Sequence, residues 1–286
     1  MARDYRRSDY DDYLKDDNLH INWYPGHMKK TKELVQNNLK LVDVVIELLD
    51  ARIPYSSKNP QIDQIVGNKP RVVVLNKSDL ANPANLSKWV NYYAKKGIKA
   101  IPVSTTKGNG VNKIIEECKN VTREMMENLK AKGRTERAIR VMIVGVPNVG
   151  KSTLINKLTG RKSTQTGDKP GVTKSKQWVR LKGNLELLDT PGILWPKFED
   201  QEVALNLAFS RAIKDEILDI DTLGLKFIEK LMEIEPEKLM ARYKLTDLGE
   251  TPLETMEMIG RKRGFILGRQ ELDYTRIALT VLNEYR

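Results

Sequence analysis

The sequence predicts an α/β protein, a mostly parallel six-stranded sheet followed by a smaller all-helical domain. Two observations in the 286-residue chain carry this: short apolar runs alternate with helical stretches up to residue 188, and the spacing turns purely helical beyond about residue 199. Uninterrupted apolar runs bounded by loop-forming residues mark strands buried on both faces, the situation of a parallel sheet covered by helices.

Taken in order, residues 1–20 are rich in aspartate, arginine and tyrosine and poor in aliphatic side chains, so they read as a flexible tail. The first strand is expected at Val42–Asp50, the second at Arg71–Leu75 and the third at Ile98–Val103. A long helix from Asn112 to about Lys132 follows, stopped by Gly133. Arg140–Gly145 is a fourth strand that feeds a glycine-rich turn and a helix at Thr153–Leu158. Gln177–Leu181 and Leu185–Leu188 form a hairpin through Gly183-Asn184. These elements make a domain over residues 21–199.

The helical domain is expected over 200–286. Phe227, Ile228, Leu231 and Met232 recur at helical spacing, Thr251-Pro252-Leu253-Glu254 reads as a capping box, and Asp273 caps a last helix carrying Ile277, Val281 and Leu282. No apolar run approaches the roughly 18 residues that span a bilayer, and no apolar signal core opens the chain, so a soluble, cytoplasmic protein without a membrane partner is expected; a monomer is expected too, though no sequence feature argues for it. The single cysteine, Cys118, excludes an intrachain disulfide and reads as a small helical core residue. A net charge of +11 favours a polyanionic partner.

Chemistry enters with Gly145-Val146-Pro147-Asn148-Val149-Gly150-Lys151-Ser152, a phosphate-loop pattern between an apolar strand and a helix. Pro147, Asn148, Val149, Gly150, Lys151, Ser152 and Thr153 are expected to surround the phosphates. Lys151 neutralises β/γ charge and the Ser152 hydroxyl ligates magnesium. Asp189-Thr190-Pro191-Gly192 follows the second hairpin strand, where Asp189 reaches magnesium through water and the Gly192 amide senses the γ-phosphate. Thr173, in Lys169-Pro170-Gly171-Val172-Thr173, is the candidate second magnesium ligand in a loop that orders on triphosphate binding.

Base identity is assigned to Asn76-Lys77-Ser78-Asp79. The Asp79 carboxylate accepts from N1 and the exocyclic amine of guanine, whereas adenine would leave that charge unpaired. Lys77 lies along the base and Asn76 ties this loop to the phosphate loop. Ser104 and Thr105, after the third strand, are expected to supply a backbone amide near guanine O6. Each element has a plainer reading, a glycine turn or a solvated loop, and their combination is what argues against it.

In the ordinary arrangement the phosphate loop precedes the base-recognition elements, yet here Asn76 and Ser104 precede Gly145. The predicted fold is therefore a circularly permuted P-loop GTPase domain, with the long helix ending near Gly133 joining the former chain ends. The Asp189–Gly192 segment then runs through Trp195-Pro196-Lys197-Phe198 into the helical domain, wiring nucleotide state to it.

Over about Ile21 to Arg286 the chain resembles the circularly permuted ribosome-assembly GTPases of bacteria. The likeness rests on the nucleotide motifs together with Trp23-Tyr24-Pro25-Gly26-His27-Met28, Asp50-Ala51-Arg52-Ile53-Pro54, Lys169–Thr173 and Asp189–Phe198. It implies Mg-dependent hydrolysis of GTP to GDP, with binding to and stimulation by the large ribosomal subunit precursor through rRNA. It further implies RNA contacts in the helical domain, which Arg261, Lys262, Arg263, Arg269 and Arg276 suit; an ordinary solvated helix face explains them equally. The chain departs from the family in a longer tail before Ile21 and in ending at Arg286 inside a helical pattern, which suggests truncation.

Many GTPases orient the attacking water with glutamine after the Asp-x-x-Gly glycine, where this chain has Ile193. His27, after the turn-forming Pro25-Gly26, is the candidate to place the water, against local turn packing as the alternative. Asn148 is a candidate potassium ligand by analogy with related GTPases, against a loop-stabilising hydrogen bond. Two other functions remain open at this level. One is a nucleotide-gated RNA-binding scaffold with incidental turnover; the other, an ATP-dependent phosphotransferase, is disfavoured by Asn76–Asp79.

Overall fold

Val-Val-Ile-Glu-Leu-Leu-Asp is apolar except for one glutamate and its last residue, and as β1 (Val44–Asp50) it is buried along its whole length. The computed structural model describes residues 35–135, 137–159, 178–188, 200–268 and 271–286. β2 (Arg71–Asn76), β3 (Lys99–Val103), β4 (Ile139–Val144), β5 (Trp178–Leu181) and β6 (Leu185–Leu188) complete one sheet. Its spatial order is β3-β2-β1-β4-β6-β5. Every pairing is parallel except β5 with β6. The hairpin turn uses Gly183 and Asn184, both at positive φ, and the observed strands lie within two residues of their expected limits.

Short helices at Pro54–Ser57 (α1) and Ile62–Val66 (α2) follow β1. A third, Pro83–Lys95 (α3), not among the expected elements although Leu86, Trp89, Val90 and Tyr93 stand at helical spacing, fills the crossover from β2 to β3. Asn82 starts it by accepting from the amides of Ala84 and Asn85 at 2.9 and 3.3 Å, with Pro83 as the first helical residue. Its Tyr93 packs with Leu49, Val73, Leu75 and Ala100. The long helix, α4 (Val111–Ala131), runs from edge strand β3 back across the sheet, packing on β1, β2, β3 and β4, and Gly133 beyond it takes φ +72°. It joins β3 to β4, and α5 (Lys151–Thr159) follows β4. Cys118 on α4 is buried, and burial pushes its thiol up to about 12, so it stays protonated core.

The chain divides into two compact units, whose described residues are 35–188 and 200–286. The second contains α6 (Gln201–Phe209), α7 (Ile220–Ile234), α8 (Pro236–Tyr243), α9 (Pro252–Arg263) and α10 (Tyr274–Tyr285). Gly224 lets α7 and α10 approach closely, since a Cβ there would lie 2.4 Å from the Ala278 Cβ. Asp273 caps α10 through the Arg276 amide at 3.0 Å. Thr251 caps α9 through the Glu254 amide at 3.2 Å, but the return bond of the expected box goes elsewhere. Glu254 accepts from the Glu250 amide at 2.8 Å, one residue before the cap. Among the described residues no helix is long and apolar enough to cross a membrane.

Candidate nucleotide-binding site

Parallel strands deliver the loops that follow them to one edge, the usual ligand edge of an open α/β sheet. Register sharpens this: Asp50 lies opposite Asn76, Asn76 opposite Val103, and Glu47 opposite Val144. The residues that follow Asn76, Val103 and Val144 are those expected to bind guanine and phosphate.

The phosphate loop leaves β4 in close contact with its neighbour. A Cβ on Gly145 would stand 2.5 Å from the Leu48 carbonyl oxygen, so only glycine lets the chain turn there. Asn148 and Gly150 take positive φ, 57° and 103°, folding the loop back toward the start of α5. Lys151 Nζ donates to the Gly145 carbonyl at 3.2 Å, spanning the loop from end to start. The first amides of α5 lack carbonyl partners within the helix, and with the helix dipole they suit a phosphate group. Ser152 and Thr153 are exposed on its first turn, while Val149 is buried and Pro147 half-buried.

Asn76 is buried at the end of β2 and joins three motifs through one carboxamide. Its Nδ2 donates to the Val149 carbonyl at 2.7 Å, and its Oδ1 accepts from the Thr105 amide at 3.2 Å. Lys77 takes φ +59°, and its Nζ lies 3.0 Å from Asp50 Oδ2. Asp79 is bridged by Lys107 Nζ at 3.2 Å. Burial raises its carboxyl, but hydrogen bonds from Ser104 and Lys107 outweigh this and hold it below the usual carboxylate range. An ionised Asp79 is the state that accepts two N–H groups from guanine. Ser104 and Thr105 are buried, and the Ser78 amide donates to the Val103 carbonyl at 3.1 Å, fastening the loops after β2 and β3 together.

The described site thus brings together Asn76, Lys77, Asp79, Ser104, Thr105 and residues 147–153. His27, Thr173, Asp189, Gly192 and Ile193 lie outside the described residues, as do Lys169–Val172, Arg269 and the segment through Trp195–Phe198. In the helical unit Arg261, Lys262, Arg263 and Arg276 are exposed. Two of them also have work inside the unit: Arg263 pairs with Glu284 at 3.1 Å, and the Arg276 guanidinium lies 4.5 Å from the centre of the Phe265 ring. Sequence reasoning gave no role to Asp50, which the structure places beside Lys77. Its signal was a carboxylate closing a run of apolar residues.

A sheet in which the phosphate-loop strand β4 and strand β2, leading into Asn76-Lys77-Ser78-Asp79, flank β1, with the phosphate loop later in the chain, defines a circularly permuted P-loop GTPase domain. The sequence profile of the 50S ribosome-binding GTPase family matches residues 140–249, starting at the phosphate-loop strand. The chain is 48% identical over 267 residues to ribosome biogenesis GTPase A of Priestia megaterium, covering 93% of each chain. It is 49% identical over 269 residues to that of Bacillus cereus, covering 93% of this chain and 90% of the relative. The GNP-bound crystal structure of YlqF from T. maritima matches with a TM-score of 0.63 at 27% identity, over 90% of this chain and 93% of that one. The chain belongs to the ribosome biogenesis GTPase A family.

Proposed function

We propose that this GTPase hydrolyses GTP in assembly of the large ribosomal subunit, binding the precursor particle through rRNA in a nucleotide-dependent way, as a cytoplasmic monomer. The observation that carries the nucleotide part is the Asn76 carboxamide. It ties the loop read as base-recognising to the phosphate loop 73 residues away, so that one guanosine triphosphate can reach both. The partner is supported by the names of the relatives and by the net charge of +11, with exposed Arg261 and Lys262 available to phosphates.

Asp79 reads the guanine edge, Lys77 lies along the base, and Lys151 with the first amides of α5 holds the phosphates. Ser152 fits magnesium, because it is a hard hydroxyl oxygen exposed at the helix start, and this ion takes one or two protein oxygens beside phosphates and water. Thr173 and Asp189 complete that set in this reading. The ion neutralises charge on the β- and γ-oxygens when bound. His27 orients the attacking water, and Asn148, exposed in the phosphate loop at φ +57°, serves as a potassium ligand.

The test is turnover with and without large-subunit precursor particles. Stimulation is expected in the wild-type chain, and His27→Ala should keep GTP binding while losing about a hundredfold of the stimulated rate. Particles that leave the wild-type rate unchanged would refute the ribosomal reading; unchanged stimulation in the variant would refute only the role of His27.

A further inference from the structure

Asp50 ends β1 with its side chain 3% exposed, a costly place for a carboxylate unless its charge is met. Arg52 meets it: Nε donates at 2.9 Å, Nη2 at 2.7 Å and the backbone amide at 3.0 Å. One guanidinium already balances one carboxylate. Lys77 Nζ nevertheless reaches the same Oδ2 at 3.0 Å, bringing a second cation to this carboxylate at the nucleotide edge of the sheet.

Lys77 needs such an anchor. It belongs to the base-recognition loop, its backbone sits at φ +59° where a side chain is unfavourable, and its stem has four rotatable bonds. Asp50 in contrast is fixed on both sides. Its amide donates to Ser57 Oγ at 3.0 Å, and the next amide, of Ala51, donates to the Asn76 carbonyl at 2.7 Å. Burial pushes the Asp50 carboxyl up, but the bonds from Arg52 and the charges of Arg52 and Lys77 outweigh it and keep it ionised below the usual range.

We infer that Asp50 is a positioning residue for guanine-nucleotide binding, holding the Lys77 ammonium in place beside the base while Arg52 holds Asp50. This rests on the reading of Asn76–Asp79 as the guanine loop. The anchor acts on binding of the nucleoside, not on the phosphoryl step, so it should move KM and leave kcat.

The experiment is a double-mutant cycle on the full chain, read by GDP affinity and by GTP turnover. Asp50→Asn should weaken GDP binding and raise KM for GTP about tenfold, the loss of one charge-assisted contact, with kcat within about twofold of wild type. Lys77→Ala should weaken GDP binding by a similar factor, and Asp50→Asn added to Lys77→Ala should cost less than about twofold more, because the pair acts as one unit. Equal costs in both backgrounds, or an unchanged Kd in folded Asp50→Asn, would overturn the inference. Should Asp50→Asn fail to fold through an unpaired Arg52, Asp50→Asn with Arg52→Gln removes both charges, and the same criteria apply. Failure of both to fold would assign Asp50 to the architecture and overturn the inference as well. A wild-type chain that prefers ADP to GDP would instead remove the guanine site itself.

Discussion

The carboxamide of Asn76 donates to the carbonyl of Val149 at 2.7 Å while accepting from the Thr105 amide at 3.2 Å. Three stretches from different parts of the chain thereby share one buried side chain. Its removal leaves the Val149 carbonyl and Thr105 amide unpaired in a closed space, at about 1–3 kcal/mol for each group. Asn76→Ala should therefore weaken GDP binding by one to two orders of magnitude. Titration with a fluorescent GDP analogue checks this, and binding within twofold of wild type would show that the bridge is dispensable.

The permuted order was legible because each nucleotide motif follows its own apolar strand, and a strand is recognised locally. The geometry that joins them was not. Asp50 and Asn76 become neighbours only through the parallel register of β1 and β2, which no local spacing reveals. Helix Pro83–Lys95 does carry helical spacing, since Leu86, Trp89, Val90 and Tyr93 stand at i, i+3, i+4 and i+7 and pack on the core, but only Tyr93 is fully buried and the apolar stripe is narrow. Its start signal, Asn82-Pro83, was present but looks like an ordinary turn. Arg263 and Arg276 read equally as an RNA face or a solvated one, since the sequence does not show that Glu284 and the Phe265 ring lie against them.

Gly150 tests the same bridge from the other side. It has φ +103°, and a Cβ there would lie 2.3 Å from Asn76 Nδ2. Gly150→Ala should push the carboxamide off Val149 and strain the loop, lowering GDP affinity at least about tenfold. Because both changes disturb one contact, Asn76→Ala combined with Gly150→Ala should weaken binding less than the product of the two separate effects. Strict multiplication of the two would separate the glycine from the bridge.

Asp79 makes a prediction about base choice. Its carboxylate, held ionised by Ser104 and Lys107, is an acceptor only. Asp79→Asn replaces one acceptor oxygen by an N–H donor, which suits the 2-carbonyl of xanthine in place of the 2-amine of guanine. The variant should lose GTP affinity by at least about a hundredfold and gain XTP turnover, because a donor set against a donor on the base edge discriminates strongly. Competition between the two nucleotides measures it; retained guanine preference would move base recognition away from Asp79.

Glu47 predicts a pH dependence of stability. It lies mid-strand in β1, beside a cavity of about 20 Å³ that Val144, Gly145 and Val146 also line. Among the described residues neither of its carboxyl oxygens has a hydrogen-bond partner, although Arg71 Nη1 stands 3.3 Å from Oε2. Burial raises its pKa from 4.5 to about 7, against the lowering influence of Arg71 and Lys58 and with a small further rise from Asp63. Between those two values the folded chain binds more protons than the unfolded one, so stability falls as pH rises through that window. Glu47→Gln removes the titration and keeps the shape. Compared with wild type in urea unfolding, the variant should therefore gain about 2 kcal/mol more at pH 8 than at pH 5. A difference independent of pH would mean that Glu47 remains ionised throughout, with Arg71 compensating its charge in full.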